Sequence, residues 1–136
     1  MPKNEHEVVI NCPTERVFRF VADLATWPRW HGSGHQVEQT SPGPVGAGTV
    51  WKGTGEVQGQ LITATVEVTS YEPDSQFAIK VSGPIEAQQS FVFEPVASGT
   101  RLVVVLELAN PQLAEPARQQ WDKDLLILKE LLEAQA

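Results

Sequence analysis

Apolar and polar residues alternate with a period of two through the middle of the chain. Within segment 60–71, every second residue from Ile62 to Val68 is apolar, and threonine or glutamate occupies the positions between them. This pattern is typical of a strand with one face in the core and the other in solvent. Other alternating or β-branched segments predict six more strands, at 5–11, 35–39, 49–56, 76–81, 85–94 and 101–108. Because short turns separate the strands from 49 to 108, we expect an antiparallel meander.

Two segments near the ends of the chain follow a helical period instead. Pro13 fits the first turn of a helix, and one apolar face follows at spacings of three and four, namely Val17, Phe18, Val21 and Leu24. The residue before a proline avoids helical backbone angles. We therefore expect this helix to stop or bend at Trp27, and a second short helical piece to carry Trp30. Segment 112–136 predicts a long C-terminal helix with an apolar stripe of Leu113, Ala117, Trp121, Leu125, Leu128 and Leu132.

This order of elements predicts an α+β fold in which the sheet closes on the last helix. In a small protein, the space between such a sheet and helix is a natural place for a ligand. We find no repeat or linker and expect residues 1–136 to form one domain, which is long enough to bury roughly two thirds of the unfolded chain's surface. Cys12 is the only cysteine, which excludes an intrachain disulfide and favours a role as a small apolar core residue.

The charge and hydropathy of the chain argue against two classes of partner. Seventeen acidic and ten basic residues give a net charge of −7, with the charges scattered. A nucleic-acid-binding protein would normally carry a basic patch, so we expect no nucleic acid partner. No stretch approaches the ~18 apolar residues of a membrane span, and the N-terminus does not resemble a signal peptide. We therefore expect a cytoplasmic monomer or homodimer without membrane insertion.

Several motifs carry a resemblance to a known family. The segment VINCPTERVFRFVADL at 9–24 is followed by WPRW at 27–30, GPVGAGT at 43–49, VTSYEP at 68–73 and FEPVASGTR at 93–101. With the closing helix, these motifs resemble the polyketide cyclase/dehydrase-like proteins of the START-like, Bet v 1-like (SRPBCC) superfamily, over essentially the whole chain. The resemblance implies a helix-grip fold, in which a curved seven-stranded antiparallel sheet wraps the C-terminal helix, with two short helices after the first strand. It also implies a hydrophobic cavity, since members of that superfamily bind lipids, sterols, quinones or polyketides and some cyclise or dehydrate them.

The phases of the strands and of the last helix predict which residues line this cavity. Large aromatic residues in the inward phase can serve either the core or a pocket. Gln89 is the polar member of an apolar phase, and a buried amide must find a partner, either a neighbour or a ligand. The predicted lining is Trp51, Ile62, Ala64, Phe77, Ile79, Gln89, Phe91, Leu113, Ala117, Trp121 and Asp124. By contrast, we expect plain core at Phe93, Val104, Leu106, Leu125, Leu128 and Leu132.

The sequence offers few catalytic candidates. His31 and His35 lie four residues apart, but the glycines between them disfavour a helix that holds both on one face, so we predict no metal site. His31 is either solvated or lies with Trp30 and His35 at the cavity mouth, where it would act as an acid or base. Asp122 and Asp124 lie two residues apart on the helix and face different directions, which excludes an acid–base dyad between them. No motif predicts a cofactor.

Three functions are compatible with these observations. We favour a carrier or sensor that buries a small hydrophobic molecule, such as a lipid, quinone, sterol or polyketide-like compound, because the predicted lining has almost no ionisable group. The alternative is a polyketide cyclase- or dehydratase-like enzyme that uses the same cavity and moves protons with His31, His35, Asp124 or Tyr71. The third is a protein-interaction module of the same fold.

Overall fold

The computed structural model describes residues 2–31, 34–57 and 59–134, apart from the side chains at positions 34, 35 and 57. Seven strands, two α-helices and two short 3₁₀ helices occur in this part of the chain. The strands are β1 (Lys3–Ile10), β2 (Gly34–Gln39), β3 (Val50–Val57), β4 (Gln60–Glu72), β5 (Gln76–Ser82), β6 (Ala87–Val96) and β7 (Gly99–Leu108). The helices are α1 (Thr14–Ala22) and α2 (Ala114–Ala134), and the 3₁₀ helices lie at Leu24–Arg29 and Pro111–Leu113.

All seven strands form one antiparallel sheet in the order β1-β7-β6-β5-β4-β3-β2. Strands β2 to β7 follow one another as the predicted meander, and β1 pairs with the remaining edge of β7. The register shifts between Val68 and Ser70 in β4, and between Gly34 and Gln36 in β2. Such irregularities bend a sheet. The curved sheet and the long C-terminal helix confirm the predicted α+β helix-grip fold.

The C-terminal half of α2 packs on the core with a leucine stripe. Its buried residues are Leu125, Leu128 and Leu132. They join one hydrophobic cluster with the buried alternate residues of β7, which are Leu102, Val104, Leu106 and Leu108. This arrangement agrees with the two periods in the sequence, which are about 3.6 residues for the helix and 2 for the strand.

Polar contacts fasten the same half of α2 to the end of β1. The Lys129 ammonium donates to the Val9 carbonyl at 2.8 Å, and the Glu133 carboxylate accepts from the Asn11 N–H at 2.9 Å. The Asn11 N–H, together with the Lys129 ammonium, lowers the pKa of Glu133. The end of α2 is therefore held by backbone groups of the sheet as well as by apolar packing.

Helix α1 covers a different part of the concave face. Its buried side chains are Val17, Phe18, Val21 and Ala22. The Phe18 ring stands edge-on to Phe93 of β6 and Tyr71 of β4, with centroid distances of 5.1 and 5.3 Å. Edge-to-face contacts of this kind stabilise beyond the area they bury. The side chains of the sheet that face α1 therefore pack in the hydrophobic core.

The break between the first two helices lies four residues earlier than the sequence predicts. The backbone leaves the helical region at Asp23, whose carboxylate accepts from the Ala25 N–H at 3.1 Å and caps the 3₁₀ helix Leu24–Arg29. An aspartate side chain competes with helical hydrogen bonds in this way. Pro28 lies inside the 3₁₀ helix, and Trp30 follows its end. The prediction that the first helix stops or bends at Trp27 was wrong. The expected second helical piece is present, and Trp30 caps its end instead of lying within it.

Gly99 lies where the start of β7 crosses the end of β1. Its φ is +148°, and a Cβ there would approach the Ile10 carbonyl oxygen to 2.3 Å and the Cys12 nitrogen to 2.6 Å. Backbone atoms cannot move aside as a flexible side chain can. Next to it, the buried Thr100 hydroxyl donates to the Cys12 carbonyl at 2.8 Å. The close crossing therefore requires glycine.

We predict that Gly99→Ala lowers the free energy of unfolding by about 3 kcal/mol, because the methyl group collides with two backbone atoms at an unfavourable φ. Gly46→Ala is the matched control, since a Cβ at Gly46 meets no atom within 4 Å. The control should stay within about 0.5 kcal/mol of the wild type. Urea denaturation followed by tryptophan fluorescence measures both, and equal effects would contradict the close crossing.

Candidate functional site

A cavity of about 310 Å³ lies between the concave face of the sheet and the first half of α2. Most of its walls are apolar side chains of the sheet, including Val66, Val81, Ala87, Leu106 and Leu108. Leu24, Trp27 and Pro28 of the 3₁₀ helix close one side. The exposed residues Gln36, Glu56 and Pro116 also contribute to the lining and mark its opening to the surface.

Small residues on facing elements create this space. Gly53 and Gly55 of β3 line the cavity and pair with Ala64 and Ile62 of β4. On the opposite side, α2 presents Ala117. Since a glycine contributes no side chain and an alanine only a methyl group, these positions do not fill the gap between sheet and helix. The cavity is thus a consequence of residue size.

Aromatic rings form one wall of the cavity. Trp27 and Trp121 both line it, and their ring centroids lie 6.0 Å apart in an edge-to-face arrangement. Trp30 packs behind them, 4.9 Å from Trp27 and 5.8 Å from Trp121. The Trp27 indole N–H donates to the Val21 carbonyl at 2.8 Å, which fixes its ring against α1. The tryptophan rings of this wall are therefore packed against one another, and the Trp27 ring is also held by a hydrogen bond.

His31 is the ionisable part of this wall and is held by a buried carboxylate. Its Nδ1 lies 2.7 Å from Oδ2 of Asp124, a residue with no exposed surface. Gln120, one turn earlier on α2, donates its amide to Oδ1 of the same carboxylate at 2.8 Å. The contact fixes the orientation of an imidazole that lines the cavity.

Gln89 is the buried polar residue of the sheet wall. It is 8% exposed, lines the cavity, and its Oε1 has no hydrogen-bond partner. Its cross-strand neighbours are Ile79 on β5 and Leu106 on β7, which offer no polar side-chain atom. An unsatisfied buried polar group costs about 1–3 kcal/mol. A residue that stabilised only the fold would therefore be better replaced by leucine here.

The structure brings most of the predicted lining residues together around the cavity. Those that line it are Ile62, Ala64, Ile79, Gln89, Leu113, Ala117 and Trp121. Trp51, Phe77 and Phe91 share the inward phase but are buried in the core cluster and do not line the cavity. For Phe91 the reason is that Trp27 covers it at 5.7 Å. Asp124 lies behind the lining, in contact with His31 and Gln120.

The predicted mouth residues have three different outcomes. Trp30 is 1% exposed and lies within the aromatic cluster, so the prediction of a mouth position was wrong. His31 lines the cavity and is mostly buried, which corrects the alternative of a solvated histidine. The side chain of His35 lies outside the described residues. Tyr71, the other catalytic candidate, packs on Phe18 and does not line the cavity.

Two side-chain contacts of the site were not predicted from the sequence. The pairing of His31 with Asp124 joins residues 93 positions apart, and nothing in the local pattern signals it. The Gln120–Asp124 contact has the helical spacing of four, which is a signal that could have been used. Asp122 turns away as predicted and meets Nδ1 of the buried His6 on β1 at 2.8 Å.

Within the described residues, no three His, Cys, Asp or Glu side chains come close enough to hold a metal ion together. Neither of the described α-helices combines the length and the apolar composition that crossing a bilayer requires.

The sequence matches the family described as "Polyketide cyclase / dehydrase and lipid transport" over residues 1–133. The chain belongs to this family. None of the curated proteins matches the sequence of this chain. The family assignment agrees with the resemblance that the motifs carry, and it covers both a catalytic activity and a transport activity.

Solved structures share the fold of this family member at low sequence identity. The protein TTHA0849 from Thermus thermophilus has a TM-score of 0.80 at 22% identity, with 99% of each chain covered. Ara h 8.0201 has a TM-score of 0.75 at 14% identity, with 97% of each chain covered. The di-domain ARO/CYC protein BexL of the BE-7585A biosynthetic pathway has a TM-score of 0.76 at 18% identity, covering 96% of this chain and 46% of BexL. These similarities show a shared fold.

We predict that Asp124→Ala lowers the free energy of unfolding by about 3 kcal/mol, because it leaves His31 and Gln120 without their buried acceptor. Glu130→Ala is the matched control, since Glu130 is an exposed acidic residue of the same helix. Chemical denaturation compares the two variants. A loss for Asp124→Ala no larger than that for Glu130→Ala would show that the buried network does not anchor the site.

Proposed function

We propose that this protein binds a small hydrophobic molecule in the cavity between the sheet and α2, as a carrier or sensor. The observation that carries the proposal is the cavity itself, about 310 Å³ in volume and walled mainly by aliphatic and aromatic side chains. A ligand that enters it gains about 25 cal/mol for each Å² of apolar surface removed from water. Lipids, quinones, sterols and polyketide-like compounds belong to this chemical class.

The family and the structural similarities support this proposal. The family description names lipid transport beside polyketide cyclisation and dehydration. BexL is described as an ARO/CYC protein of a biosynthetic pathway and shares the fold of this chain. In this chain, α2 contributes Pro116, Ala117, Gln120 and Trp121 to the lining, and Ala117 has the smallest side chain among them.

We predict that Ala117→Phe raises the Kd for the fluorescent probe 1-aminoanthracene at least about tenfold, because the phenyl ring occupies the space of the ligand. Gln119→Phe is the matched control, since Gln119 is exposed on the same helix and is not part of the lining. Fluorescence titration of the two variants and the wild type gives the three Kd values. Wild-type affinity in Ala117→Phe would place the probe elsewhere and contradict the proposal.

A second candidate function is acid–base catalysis in the same cavity. The observation that favours it is the His31 imidazole in the cavity wall, oriented by the buried Asp124 carboxylate. A histidine oriented by a carboxylate is a common general base. The family description, which includes cyclases and dehydrases, is compatible with proton transfer.

The probe reaction for this candidate is the ring opening of 5-nitrobenzisoxazole. A base removes the carbon-bound proton of the heterocycle, the N–O bond breaks, and 2-cyano-4-nitrophenolate forms. We predict that His31→Gln slows this reaction about a hundredfold, because the general base is lost. His6→Gln is the control, since His6 pairs with Asp122 and does not line the cavity. Equal rates for the His31→Gln variant and the wild type would exclude His31 as a base.

A further inference from the structure

We propose that the cavity selects a neutral ring compound carrying a hydroxyl group, and that the Gln89 carboxamide is the residue that recognises this hydroxyl. The inference rests on the proposed binding function and specifies its ligand class. It assigns a specificity-determining role to a residue whose side-chain oxygen makes no polar contact with the fold.

The side-chain oxygen of Gln89 is unpaired. The cross-strand neighbours of Gln89, Ile79 and Leu106, have only hydrocarbon side chains and line the same cavity. These neighbours therefore cannot satisfy the oxygen. Since buried polar groups are almost always paired in native proteins, the missing partner comes from the occupant of the cavity.

The carboxamide of Gln89 determines which polar group suits it as a partner. Rotation about the Cγ–Cδ bond of Gln89 presents either the oxygen or the N–H groups to the cavity. A hydroxyl both donates and accepts, so it pairs with the amide in either orientation. A hydrocarbon cannot pair with the amide at all and leaves it unsatisfied.

An anionic ligand such as a fatty acid does not suit this cavity. Among the lining residues that the structure describes, none is lysine or arginine, and the imidazole of His31 is already paired with the Asp124 carboxylate. A carboxylate taken into an apolar cavity without a counter-charge loses its hydration at high cost. The net charge of −7 also disfavours the approach of an anion. The polar group of the ligand is therefore neutral.

The aromatic side chains of the cavity favour a ring system as the apolar part of the ligand. Trp27, His31 and Trp121 all line the cavity, and the rings of His31 and Trp121 lie 4.9 Å apart at 34°. Flat aromatic surfaces bind other rings by offset stacking or edge contacts. The carboxamide lies on the sheet wall and the rings lie on the helical walls, so one bicyclic molecule can meet both.

The test compares naphthalene, 2-naphthol and 2-naphthoate as probes at neutral pH. Titrations of the 136-residue chain give Kd values for the wild type, for Gln89→Leu and for Gln88→Leu. Gln88 is the matched control because it precedes Gln89 on β6 and is exposed on the other face of the sheet. Leucine is close to glutamine in size and suits the apolar neighbours, so the Gln89→Leu variant should unfold at a temperature equal to or above that of the wild type.

We expect 2-naphthol to bind the wild type about tenfold more tightly than 2-naphthoate. We also expect Gln89→Leu to reduce the preference for 2-naphthol over naphthalene about tenfold, with no change in Gln88→Leu. If the preference for 2-naphthol is the same in Gln89→Leu and the wild type, the inference is wrong while the proposed binding function stands. If none of the three probes binds the wild type, both the binding function and the inference are contradicted.

Discussion

The Asp124 carboxylate has no contact with solvent, and the need to pair it constrains the whole region around the cavity. A buried carboxylate is tolerated only where charged or polar groups surround it. Gln120 comes from the same helix, but His31 arrives from the end of the 3₁₀ helix. For His31 to reach Asp124, the chain after α1 must fold across α2. That path brings the rings of Trp27 and Trp30 onto Trp121 and completes the aromatic wall.

The size of the side chains along α2 determines where the helix packs on the sheet and where a cavity separates them. From Leu125 onward the helix carries the leucines that pack on the sheet, and Lys129 and Glu133 hold its end to β1. Before Trp121 the helix presents Ala117, and the facing wall of the sheet includes Gly53, Gly55 and Ala64. The His31–Asp124 contact lies between these halves. It therefore keeps the first half of α2 in place although the cavity gives that half little to pack against.

The strands and helices were predictable from the sequence because hydrophobic residues recur with a period of about 2 in each strand and about 3.6 in each helix. Phase alone also identified cavity residues such as Ile79 and Ala117. It failed for Phe91, because phase tells which face a residue occupies and not which helix covers that face. The mouth position expected for Trp30 was wrong because its ring packs on Trp27 and Trp121. The His31–Asp124 pair depends on the three-dimensional path of the chain, which no local pattern contains.

The most direct test of this account is a crystal structure of the protein with 6-bromo-2-naphthol, in which anomalous scattering locates the bromine. We predict one bromine site inside the cavity, the ring system between the tryptophan wall and the sheet, and the hydroxyl oxygen within hydrogen-bond distance of the Gln89 carboxamide. An empty cavity, or a bromine site only on the outer surface near the exposed Leu126 and Ile127 of α2, would contradict it.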